Sequence, residues 1–118
     1  CLPISNITEC VNFAEEQAKK FGLRAPMVGH LGDGNFHVIL PYDPKEEGTY
    51  NKIRDFSDLL IKKTLELNGT ITGEHGVGLH KKSYLLQEHG DCIPLMKSIK
   101  KSIDQNNIMN PGKIFDLN

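Results

Sequence analysis

No sign of charge dominates this 118-residue sequence: 14 Lys and Arg stand against 15 Asp and Glu. That balance argues against nucleic acid or an acidic membrane surface as partner. Long hydrophobic runs are missing, so no segment reads as a bilayer span, and no secretory signal pattern is present. Cysteine is sparse. Cys1, Cys10 and Cys92 are odd in number, far apart and without metal-ligand spacing. They read as reduced thiols, and the expected location is cytoplasmic. Internal repeats and low-complexity stretches are lacking, and an initiator Met is too. The opening Cys1-Leu2-Pro3 suggests a piece of a longer polypeptide. By length the expectation is one domain with a single core.

What is present is a periodic pattern. Leu2 to Ile4 reads as the tail of a strand. Ser5 or Asn6 can cap a helix, with Glu9 completing a capping box on Asn6. Ile7, Cys10, Val11, Ala14, Ala18 and Phe21 form its apolar face, and Gly22 ends it. Residues 25–29 and 36–40 read as strands; in the second, Phe36, Val38 and Leu40 share one face while His37 and Ile39 take the other. Pro41 to Gly48 is a loop. A long helix over 49–67 buries Ile53, Phe56, Leu60, Thr64 and Leu67, and Asn68-Gly69 stops it. Thr70 to Thr72 is β-prone. Two helices follow, over 81–88 and 94–104, the latter with Leu95, Met96, Ile99 and Ile103 inward.

This order predicts an α+β fold: a ferredoxin-like antiparallel sheet with helices on one face, plus a C-terminal helical tail. Two stretches concentrate the chemistry. In Gly29-His30-Leu31-Gly32-Asp33-Gly34-Asn35-Phe36-His37, the Asp33-Gly34 pair signals a two-residue hairpin turn. A turn centred there sets His30 opposite His37, with Cβ atoms roughly 4.5–5.5 Å apart, a spacing that suits two nitrogens on one metal ion. The plainer reading is a surface hairpin carrying two histidines, with Asp33 serving the turn.

In the second stretch, Gly73, Gly76 and Gly78 bracket Glu74 and His75 and leave their side chains open to close approach. Glu74 added to His30 and His37 makes a common set for a catalytic divalent metal. His75 is then left as a general base. The competing reading makes Glu74 a solvated loop acid and His75 a turn residue. His80 and His89 read as surface residues. In the simplest ferredoxin-like topology the last strand ends opposite the hairpin turn, which would keep Glu74 from the histidines.

These two stretches, with Asn110-Pro111-Gly112-Lys113, resemble the C-terminal domain of FAD-linked oxidases, in order and spacing, across essentially residues 1–118. That family includes D-lactate dehydrogenase, the glycolate oxidase flavin subunit and D-2-hydroxyglutarate dehydrogenase. The resemblance implies a substrate-cap domain of a longer flavoprotein, with an FAD-binding domain upstream. It implies His30, His37 and Glu74 as ligands of a divalent metal, usually zinc, and His75 as the group that accepts the substrate's hydroxyl proton. Asn110 and Lys113 match a terminal motif that packs near the flavin. Some members carry Asn two residues after the second histidine; Ile39 stands there, which favours a small substrate such as lactate or glycolate.

The expected function is therefore FAD-dependent oxidation of a 2-hydroxy acid to the 2-oxo acid. Without a Gly-rich dinucleotide site, the chain alone is expected neither to hold FAD tightly nor to turn over. The electron acceptor is not specified by these residues, and a homodimer is left open. The alternatives are a stand-alone metal- or ligand-binding module and a structural interaction domain.

Overall fold

A computed structural model describes residues 1–117. They divide into two compact units, Cys1–Gly73 and Glu74–Asn118. The composition is α+β, with helices and a two-stranded antiparallel sheet. No helix among the described residues is long and apolar enough to cross a membrane.

In the first unit, α1 (Ile7–Phe21) presents Cys10, Ala14 and Ala18 at four-residue intervals, and all three are buried. Small residues along that row let α2 (Thr49–Glu66) seat Phe56 against Ala14 and Ala18. Phe21 meets the Phe56 ring edge-on, with centroids 6.4 Å apart. Burying a side chain as large as Phe56, which is 1 % exposed, stabilises the unit by about 1.5–3 kcal/mol. Nearer the start of α1, Leu2, Ile7 and Cys10 form a second cluster with Val11, Phe36, Leu60 and Leu67.

The expected capping box does not form. The Asn6 side chain makes no cap bond and instead donates through Nδ2 to the Leu67 carbonyl, at 2.9 Å. The Glu9 carboxylate accepts from Lys63 Nζ at 2.6 Å. Both members of the box are drawn across to α2, where they tie the two helices together.

The sheet consists of β1 (Met27–Val28) and β2 (His37–Val38), with Met27 opposite Val38 and Val28 opposite His37. Met27, Val38 and Leu40 pack on the Ala14–Ala18–Phe56 cluster and Phe36 on the other cluster. The expected alternation along residues 36–40 therefore holds, and α1 and α2 both cover that apolar face. His37 and Ile39 take the opposite side by the pleat.

The strands expected at 2–4 and 70–72 are not strands. Ile4–Asn6 is a 3-10 turn leading into α1, and residues 70–72 are irregular. Backbone pairing nonetheless survives there. Cys1 and Thr70 exchange hydrogen bonds, the Thr70 N–H to the Cys1 carbonyl at 2.8 Å and the terminal amine of Cys1 to the Thr70 carbonyl at 3.3 Å. On its other side, the Leu2 N–H donates to the Gly34 carbonyl at 2.8 Å.

In the second unit, α3 (Lys82–His89) buries Leu85, and α4 (Ile93–Ile103) follows a short 3-10 turn. The inward face expected for α4 is corrected: Leu95, Ile99 and Ile103 are 64 %, 52 % and 72 % exposed. Among the described residues of this unit Leu85 is the one buried hydrophobic side chain, so the apolar stripe of α4 is left facing out.

Candidate functional site

The first chemical stretch folds differently from a two-residue hairpin. Leu31–Asp33 is a 3-10 turn that starts from His30. The His30 carbonyl accepts the Asp33 N–H at 2.8 Å and the Asn35 N–H at 3.3 Å, and the Gly34 N–H bonds to Leu31 at 3.1 Å. Gly34 closes the turn with φ of 75°. A Cβ at that position would lie 2.1 Å from the Leu2 carbonyl oxygen, so only glycine fits.

The expected pairing of His30 with His37 is thereby overturned. His37 faces Val28, and His30 lies within the connection between the strands. The physical reason is tertiary. The Gly34 carbonyl is engaged by Leu2, and this docking selects a wider connection than Asp33-Gly34 would form on its own. Asp33 belongs to the turn, as expected. His30 is exposed and His37 half-buried.

The end of the first unit returns to this loop. A Cβ on Gly73 would sit 2.5 Å from Oδ1 of Asn35, a side chain that is itself buried. Residues 70–73 stay at the hairpin end rather than running down the sheet. The topological objection to Glu74 therefore does not apply to the peptide that leads into it.

In the second unit, Glu74 and His75 are neighbours in space as in sequence, with Glu74 Oε1 3.6 Å from His75 Nε2 and both side chains exposed. Their loop is tied to the terminal motif, because the Ile114 N–H donates to the Gly78 carbonyl at 2.8 Å. Asn110 and Lys113 are exposed and share a turn, the Lys113 N–H reaching the Asn110 carbonyl at 3.3 Å. Lys82 of α3 pairs with Asp116 at 2.7 Å beyond that turn.

Sequence reasoning missed Lys100, Asp104 and Ile114. Asp104, which ends α4, is 6 % exposed, and its carboxylate accepts the N–H groups of Ile108 and Met109, each at 2.9 Å. Lys100 Nζ donates both to this carboxylate and to the Met109 carbonyl. Lys100 first, and then the two amides, hold the Asp104 carboxyl below the usual carboxylate range against the opposing effect of burial. The available signal was the Lys100–Asp104 spacing of four residues ahead of the polar run Gln105-Asn106-Asn107.

The family described as FAD linked oxidases, C-terminal domain, matches residues 1–114. The chain is 37 % identical to the probable mitochondrial D-lactate dehydrogenase of Danio rerio, over 99 % of this chain and 24 % of that protein. It is 40 % identical to the mitochondrial D-lactate dehydrogenase (cytochrome) 1 of Saccharomyces cerevisiae, over 97 % of this chain and 19 % of that protein. Against the glycolate oxidase subunit GlcD of Bacillus subtilis the identity is 38 %, over 97 % and 24 %. The chain thus spans about a quarter or less of the length of these relatives. On that match over residues 1–114, the chain belongs to the C-terminal domain family of the FAD-linked oxidases.

Proposed function

We propose that the chain serves as the substrate-cap domain of a longer FAD-dependent 2-hydroxy-acid dehydrogenase of the D-lactate or glycolate type. One observation carries this reading: nearly every residue aligns, at 37–40 % identity, with proteins named for those two acids. FAD, held mainly by an upstream domain, supplies the two-electron acceptor when bound. His75 accepts the substrate's hydroxyl proton as the carbon-bound hydrogen leaves as hydride and the 2-oxo acid forms. The exposure of the His75 ring and its Glu74 neighbour at 3.6 Å support that role. Asn110 and Lys113 lie toward the flavin in this reading. Ile39, 49 % exposed on the strand side that carries His37, puts an apolar wall where a larger diacid would need a polar contact.

His30, His37 and Glu74 are the proposed ligands of a divalent metal, taken as zinc on the family resemblance, since the donors themselves suit zinc, iron or manganese. Two imidazoles and a carboxylate fit such an ion, and the packing of Gly73 on Asn35 starts the acid-bearing peptide from the loop between the histidines. The metal, when bound, would polarise the substrate hydroxyl and lower its pKa. The ferredoxin-like sheet is part of the proposal as well, supported by the backbone bonds that set residues 1–2 beside Thr70 on one side and Gly34 on the other. A cytoplasmic location is part of this proposal, supported by the sparse and widely spaced cysteines of the sequence.

The test is dye reduction by the full-length protein with D-lactate and glycolate, before and after chelator and again with zinc restored. Turnover that chelation removes and zinc returns is the expected result; turnover indifferent to chelator would overturn the metal assignment. The 118-residue chain alone is expected to show no flavin absorbance after incubation with FAD and no turnover. Light scattering on the full-length protein decides whether it forms a homodimer.

A further inference from the structure

The segment after α4 is held in an unusual way. Asn107 and Asn110 take left-handed backbone angles, φ 50° and 48°, and so does Ile114, φ 68°. Asparagine tolerates this region; a β-branched residue does so at a cost. Around Ile114 the Phe115 N–H reaches back to the Lys113 carbonyl at 2.8 Å. A bond of that span about a positive-φ residue is a γ-turn of the rare, strained kind. Such strain persists only where the surroundings over-determine it, and it gathers at functional sites.

Two anchors supply that over-determination. Upstream, the buried Asp104 carboxylate gathers the Ile108 and Met109 amides, and Lys100 closes the ring on the Met109 carbonyl. Downstream, at the strained turn, the Ile114 N–H donates to the Gly78 carbonyl, within the loop that carries His75. Between the anchors lies Asn110-Pro111-Gly112-Lys113.

We propose that Asp104 is a positioning residue, which fixes the terminal motif and, through the Ile114–Gly78 bond, the glycine loop that presents His75. Asp104 touches no reacting atom; it sets the frame in which His75 works. The proposal rests on the functional reading above only for His75's role, since the mechanical link stands on geometry alone.

Hydrogen exchange on the full-length protein tests the link, comparing wild type with Asp104→Ala and Asp104→Asn. Loss of a carboxylate accepting charged and backbone donors predicts about tenfold or greater acceleration of exchange over residues 74–80 as well as 105–115. Residues 7–66 should exchange as in wild type. Asp104→Asn, which keeps one acceptor oxygen, should fall between the two, and it carries the comparison if Asp104→Ala does not fold. With D-lactate, kcat is expected to fall about tenfold in Asp104→Ala with KM nearly unchanged, as for lost orientation rather than lost binding. A folded variant with faster exchange confined to residues 105–109 would overturn the proposal. So would a loss of activity expressed wholly in KM. A wild-type protein that oxidises no 2-hydroxy acid would instead refute the functional reading, and the exchange comparison would still decide the link.

Discussion

Gly73 lies directly against the side chain of the buried Asn35, so close that a Cβ would sit 2.5 Å from Oδ1. This approach joins the two chemically dense stretches of the sequence at a point where neither carries a functional side chain. Gly73→Ala must displace Asn35 from its buried place. The expected loss is about 1–3 kcal/mol, as for overpacking, read as a lower urea midpoint with unchanged slope. Metal affinity should fall along with it in the full-length protein.

Phe56→Ala should be the most damaging single truncation in the first unit. It removes a ring that is 1 % exposed and opens a cavity between Ala14 and Ala18, at about 3–5 kcal/mol. Urea unfolding followed by circular dichroism measures the loss. A cost below about 1 kcal/mol would mean that α1 and α2 do not pack as described.

His37→Ala should abolish metal retention in protein purified without chelator. If His37 is the ligand proposed, its loss is expected to weaken binding by more than about 100-fold, the upper range for changes to groups behind the ligands. Elemental analysis of variant and wild type side by side gives the answer; equal metal in both would remove His37 from the site.

Acid should release the terminal segment early. The Asp104 carboxyl titrates below its ordinary value, chiefly through Lys100, so the stability it contributes is complete above that ordinary value, about pH 4. The contribution drains away as pH falls through the depressed folded value. Amide signals of Ile108 and Met109 should therefore lose protection as the pH is lowered past this window, ahead of α1 and α2.

Cys10 behaves in the opposite sense. Burial pushes its thiol up, with a smaller opposing effect from the contact to Thr64 Oγ1 at 3.7 Å. Stability from keeping it neutral is complete below the ordinary thiol value and declines as pH rises above it. A thiol reagent at neutral pH should modify the exposed Cys92 quickly and Cys10 only on unfolding.

Much of this was legible in the residues themselves. The row Cys10, Ala14, Ala18 and the alternation Phe36, Val38, Leu40 are periodic, and periodicity reports which side of an element is apolar. What periodicity leaves out is the partner. Leu95, Ile99 and Ile103 mark an amphipathic α4 correctly, yet all three are exposed, and Leu85 is the one buried hydrophobic side chain among the described residues of their unit. Local rules failed where groups distant in sequence intervened. Leu2 takes the Gly34 carbonyl and with it the hairpin register, while Leu67 and Lys63 take both members of the capping box. The candidate site residues His30, His37, Glu74 and His75 came from chemical type and family likeness. Asp104 escaped because its role is written in bonds to the main chain, which residue identity does not announce.

His37 and Val38 are consecutive, one on the open side of the strand and the other packed on Ala14, Ala18 and Phe56. If the proposed substrate-cap role holds, selection for altered substrate preference would find useful changes beneath the strand as well as around the histidine. Suppressors of weak His37 variants should turn up at Met27, Val38 or Leu40, where a slight resizing tilts the imidazole without touching it.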